Sequence, residues 1–163
     1  MNIKLRDIVR TGLLAGLAVA LQAMTLPQPV TGPGINAVLF VASMYVGPLS
    51  GAVVGLITPW IAFMLGLNKL APAVPVIMAG NVTLALVSGY FAKSNRYVAM
   101  IAASVLKFGV MTLGIRYLVS TGTKIPPVAY TSLTVTQLFT ALGGAAVAAI
   151  VLAALSRAHK QQG

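Results

Sequence analysis

The chain is almost without acid. Among 163 residues there is one Asp or Glu, Asp7, and one histidine, His159. A carboxylate pair for general acid–base work, a metal-ligand cluster and a Ser–His–Asp set are all excluded by that count. Cysteine is absent, which removes disulfides and thiolate metal sites and leaves the redox compartment unreadable. No G-x-x-x-x-G-K-[ST] stretch occurs, so nucleotide hydrolysis by that route is excluded. Proton-coupled carriers place Asp, Glu or His inside the bilayer, and no apolar run here contains one. Neither a membrane enzyme nor a self-powered proton carrier fits, and no cofactor is implied. If the protein moves a solute uphill, the energy comes from a partner.

What the chain has in excess is apolar surface. Hydrophobic residues make up 58% and charged residues 7%, against roughly 45–50% and 25% in soluble domains. Mean hydropathy is +0.95. A soluble fold of this size could not hide that much apolar area, so its solvent is the lipid bilayer. The formal charge of +10 does not signify nucleic acid. The basic residues form no stripe interleaved with aromatics; they fall between hydrophobic runs, as juxtamembrane charges do.

Those runs divide the chain into six spans, about 8–26, 35–46, 49–67, 74–92, 98–119 and 130–156. The basic N-terminal residues and the run after them are read as a first span, because no convincing cleavage site follows. A Pro- and Gly-rich loop, Pro27 to Gly34, separates spans 1 and 2, and Gly47-Pro48 separates spans 2 and 3. No soluble domain is left over. The expected fold is an all-α membrane protein, one compact bundle of six transmembrane helices. With both termini cytoplasmic, the inner face carries Lys4, Arg6, Arg10, Lys93, Arg96, Arg157 and Lys160, and the outer face only Lys69, Lys124 and Arg116.

Lys107 belongs to neither face. It lies about 13 Å into span 5 at 1.5 Å per residue, a long reach for snorkelling. The ordinary reading is a lysine satisfied by backbone carbonyls. The functional one is a lysine that meets an anionic ligand, since no intramembrane acid neutralises it. Arg116, about 900° further round the helix, faces the opposite way and reads as an interfacial anchor. Uncharged polar groups collect at outer depth in the even-numbered spans: Asn36, Asn81 and Gln137. Singly, each is a helix–helix hydrogen-bonding residue; together, above one lysine, they outline a small-molecule pocket. Tyr130, Thr134 and Gln137 share one face of span 6 and are expected to line it together. The Pro27–Gly34 loop is either a linker or a stiff lid over that pocket. Gly12, Gly16 and Ala20, four apart in span 1, form a small-residue stripe that admits another helix closely, from this chain or from a partner.

The basic N-terminus, that stripe, the Pro/Gly loop, Asn36-Ala37-Val38-Leu39, the run Gly47-Pro48-Leu49-Ser50-Gly51-Ala52-Val53-Val54-Gly55, Pro72 with Pro75, and Gly80-Asn81 together resemble the substrate-binding S components of energy-coupling factor (ECF) transporters. The resemblance covers nearly the whole chain, and the G-P-x-x-G-x-x-x-G stretch is its most specific part. It implies a vitamin-binding subunit in a prokaryotic plasma membrane. Such a subunit docks on a transmembrane T component driven by two cytoplasmic ATPases and is thought to topple in the membrane to release its substrate. The family's span 1 coupling motif is Ala-x-x-x-Ala; here Gly12, Gly16 and Ala20 keep the small surface but not the letters, and the resemblance carries the docking role to them. It does not carry a substrate. The tryptophan-rich thiamin pattern is missing, with Trp60 alone, and riboflavin and biotin signatures are not evident. Lys107 and the amides favour a small anionic vitamin or precursor, pantothenate-like or another carboxylate. Two other readings stay open: a small membrane scaffold or assembly subunit without ligand, and a self-sufficient facilitator.

Overall fold

The computed structural model describes residues 4–161, and its described residues are helices joined by short turns. The side chains of residues 159–163 fall outside that description, and with them His159 and Lys160, the latter counted above at the inner face. In chain order the helices are α1 (Leu5–Ala23), α2 (Gln28–Val41), α3 (Pro48–Met64), α4 (Val74–Phe91), α5 (Arg96–Ser120), α6 (Pro127–Leu133) and α7 (Val135–Gln161). A π-helical turn, Ala42–Val46, extends α2, and a 3-10 turn, Ala71–Ala73, leads into α4. Four stretches are long and apolar enough to cross a membrane: Gln28–Val46, Ala71–Phe91, Arg96–Ser120 and Pro127–Ala158. Pro48–Met64 is apolar but shorter. At 19 residues α1 is about 28 Å long, close to a bilayer core, with Arg6, Asp7 and Arg10 in its first two turns.

Two expectations change. The stretch from Pro27 to Gly34 is not a loop: α2 begins at Gln28, so no loop lid covers this side. Pro29 sits in the first turn, where a missing N–H costs nothing because that donor has no intrahelical partner. Pro33 removes one further bond, and Thr31 Oγ1 donates to the Leu26 carbonyl (2.8 Å), tying the helix start to the turn before it. The second change is at the other end of the chain. The sixth apolar run is two helices, because Thr134 (φ −118°, ψ −96°) breaks it between α6 and α7.

Elsewhere the helix ends follow local chemistry. Asn95 caps α5, its Oδ1 accepting from the N–H groups of Tyr97 and Val98 (3.0 and 3.2 Å). Gly47 takes φ +153°, a conformation other residues rarely adopt, and so turns the chain sharply between the π turn and α3.

The packing is organised by glycines. On α3, Gly51 and Gly55 face α4, where a Cβ on Gly51 would stand 3.0 Å from Ala85 Cβ and one on Gly55 2.9 Å from Asn81 Cβ. The pairs run in opposite senses, so α3 and α4 are antiparallel. On α4, Gly80 lies against Met111 of α5, and Gly114 of α5 lies against Val76, again antiparallel. A Cβ on Gly32 of α2 would stand 2.6 Å from Thr140 Cγ2 of α7, and one on Gly144 of α7 2.6 Å from Asn36 Cβ. These two contacts run in the same sense, so α2 and α7 are parallel. Such small-residue seams let backbones approach where lipid supplies no hydrophobic drive. Large apolar side chains such as Leu13, Leu113, Phe139 and Ile150 point outward, as expected of surface whose solvent is lipid.

Candidate functional site

The face of α5 that turns inward is Ala99, Met100, Ala103, Ser104, Lys107, Met111 and Ile115, all buried at helical spacing. Lys107 is therefore carried into the bundle rather than toward lipid, with 3% of its surface exposed. Its stem runs beside Gly80, where a Cβ would touch Lys107 Cγ at 3.5 Å and clash with Met111 Cγ at 2.5 Å. Arg116 is exposed, on the other side of α5.

Two asparagines receive the ammonium. Lys107 Nζ donates to Asn36 Oδ1 at 2.6 Å and to Asn81 Oδ1 at 2.8 Å. An ammonium cannot accept a hydrogen bond, so both amides must present oxygen to it and turn their NH₂ groups away. Asn36 Nδ2 donates to the Gly32 carbonyl (2.9 Å) and, at a longer 3.4 Å, to Thr140 Oγ1. Asn81 Nδ2 points to the Gly55 carbonyl at 3.5 Å. Each asparagine also fills the notch left by a glycine on a neighbouring helix, Asn36 against Gly144 and Asn81 against Gly55. The seams that hold the bundle together thus aim the amides at Lys107.

The three side chains border a cavity of about 450 Å³, within the range of roughly 300–1,000 Å³ usual for small-molecule sites. The C-terminal end of α1 contributes Gln22, the start of α2 contributes Gln28 and Thr31, and the turn after α3 contributes Asn68 and Lys69. Ser132, Leu133 and Gln137 close it from the α6–α7 break. No carboxylate borders the cavity, because the sole acid, Asp7, lies at the start of α1, 3.8 Å from Arg6.

Of the residues expected at a pocket, Asn36, Asn81, Lys107 and Gln137 come together around this cavity. Gln137 does not touch Lys107; its Nε2 donates to the Ser132 carbonyl (3.2 Å), holding the break in the helix. Tyr130 and Thr134 do not border the cavity. Thr134 Oγ1 donates to the Tyr130 carbonyl (2.7 Å) and is spent on the same break. Thr140, Gln22 and Lys69 were not singled out by sequence. Thr140 lies three residues after Gln137, one helical turn on, and that spacing was the available signal; nothing comparable marks Gln22. The stripe Gly12, Gly16 and Ala20 lies on the outer surface of α1, Ala20 is exposed, and a Cβ on either glycine would meet nothing within 4 Å.

No curated protein and no solved structure matches the chain significantly. The family model described as "ECF transporter, substrate-specific component" matches residues 6–156, nearly the whole chain. A multi-pass bundle whose buried lysine borders a solute-sized cavity agrees with that match, and the chain belongs to the family of ECF transporter substrate-specific components.

Proposed function

We propose that this protein is the high-affinity vitamin-binding subunit of an importer in a prokaryotic plasma membrane, and that its substrate is a small anionic vitamin or precursor, pantothenate-like or another carboxylate. As a family member it is a substrate-binding subunit that works with a T component and ATPases. The finer reading is carried by one observation: Lys107 borders a cavity of about 450 Å³ and bonds only to neutral amides, with no carboxylate in reach to balance it. A buried charge without a partner is costly, and a charge-bearing ligand is the natural remedy. In this reading α1 to α5 and the α6–α7 pair each cross the bilayer, with both termini in the cytoplasm. Asn36, Asn81, Lys107 and Gln137 form the substrate wall, while Thr134 and Tyr130 support it through the helix break. Gly12, Gly16 and Ala20 form the face that meets the T component, a role supported by their exposure on α1.

The test is to purify the protein, identify co-purifying small molecules by mass spectrometry, and titrate a panel of vitamins against Lys107→Met. An acid should bind, and Lys107→Met should weaken it by about tenfold to a hundredfold, the range for a lost charge-assisted hydrogen bond. Unchanged affinity in the variant would remove Lys107 from the site. Retention of no ligand, with no thermal shift across the panel, would overturn the vitamin-binding reading.

A further inference from the structure

Among the described residues, two buried side-chain polar atoms have no hydrogen-bond partner, Gln22 Oε1 and Thr112 Oγ1. Only Gln22 borders the cavity of Lys107. The cavity therefore presents two complementary unmet demands. Lys107 has three N–H donors, of which Asn36 and Asn81 take two, leaving one for an acceptor. Gln22 Oε1 is an acceptor enclosed by protein with no donor, a state that folded proteins rarely leave uncorrected. The asparagines do not supply that donor; the bonds from their NH₂ groups go to Gly32, Thr140 and Gly55. Gln137 Nε2 is likewise engaged with Ser132.

We infer that Gln22 is a specificity-determining residue, and that the substrate is an acid carrying a hydroxyl or amide N–H that donates to Gln22 Oε1 while its anionic group accepts from Lys107. The inference rests on the anionic-substrate reading and narrows it, from acids in general to hydroxy- or amido-acids. It also places a ligand contact on α1, the helix that carries Gly12, Gly16 and Ala20. A bound acid of this class bridges α1 to Lys107 of α5, whereas a simple carboxylate leaves α1 without a polar contact.

The experiment uses the full-length protein in nanodiscs and isothermal titration with matched pairs of acids. Each pair consists of a carboxylate vitamin, pantothenate among them, and an analogue whose hydroxyl and N–H donors are methylated. The wild type should prefer the donor-bearing member by about tenfold, the scale of one hydrogen bond. Gln22→Met should narrow that preference to about twofold or less, weakening the donor-bearing member more than the methylated one. Gln22→Glu, which keeps an acceptor but adds a like charge, should weaken every acid while retaining the preference. Equal affinities within each pair in the wild type, or a preference that survives Gln22→Met, would overturn the inference. Binding of no acid at all would sink the anionic-substrate reading first, and this inference with it.

Discussion

Lys107 holds its ammonium between two amide oxygens, so a single atom exchange gives a site without a counter-charge one of its own. In Asn81→Asp the carboxylate would occupy the position of Oδ1, 2.8 Å from Nζ, and supply the missing counter-charge from within. The only hydrogen bond given up is the 3.5 Å contact to Gly55, too long to contribute much. The variant should fold with unchanged or raised thermal stability, yet lose anion affinity by about a hundredfold or more, because the ligand then meets a neutralised lysine. Titration beside a melting curve separates the two effects; a variant that binds the acid normally would show that Asn81 and Lys107 do not form its site. At this scale the sequence was informative where a residue contradicts its surroundings. A lysine deep in an apolar run has no ordinary explanation, and amides at similar depth in separate spans are rare enough to group. Gln22, Lys69 and Thr140 are legible only once helix rotation and tilt are known, since each is an unremarkable polar residue near a helix end or on a helix face.

Among elements, the parallel contact of α2 with α7 has the least slack. A Cβ on Gly144 would stand 2.6 Å from Asn36 Cβ, 2.8 Å from the Pro33 carbonyl and 2.9 Å from the Ala37 nitrogen, two of them backbone atoms that cannot rotate away. Gly144→Ala should therefore cost about 1–3 kcal/mol, as overpacking does. It should also lower ligand affinity, because Asn36 must move. Gly109→Ala in α5 meets nothing within 4 Å and should be neutral or stabilise by up to about 1 kcal/mol. Thermal unfolding of the two variants decides the matter; equal midpoints would mean that the seam is looser than the geometry indicates. The glycines on α3 were conspicuous in the sequence as a spaced motif, but their partners were not, since a small residue announces proximity without saying to what. Proline misled in one place. Three prolines in an expected loop suggested broken backbone from 27 to 34, whereas prolines in the first turn of a helix disturb little, and α2 starts there. The break at Thr134 had no comparable marker: no proline or glycine stands at it, and it is held by side-chain bonds from Thr134 and Gln137.

For the molecule as a whole, the cavity and the small-residue stripe of α1 lie on different surfaces. The cavity lies among α1, α2, α4, α5 and the α6–α7 break, while Gly12 and Gly16 look outward from α1 with nothing against them. Gly16→Leu should leave ligand affinity unchanged and abolish ATP-driven uptake in vesicles containing the T component and ATPases. A parallel fall in both would place the stripe inside the fold instead. The all-helical membrane plan was readable from alternating apolar runs and basic connections, because lipid imposes one requirement on every such run; the mutual arrangement of the helices was not, because it depends on contacts between residues far apart in the chain. The pairing of Lys107 with two asparagines has a further consequence for time rather than energy. Its long side chain is ordered before any ligand arrives, so binding forfeits little additional freedom. At a nanomolar dissociation constant and an association rate constant on the order of 10⁶ M⁻¹s⁻¹, a ligand would stay for about a quarter of an hour. A protein alone with its cargo on that clock would deliver almost nothing, so the proposed function predicts turnover only where a partner hastens release.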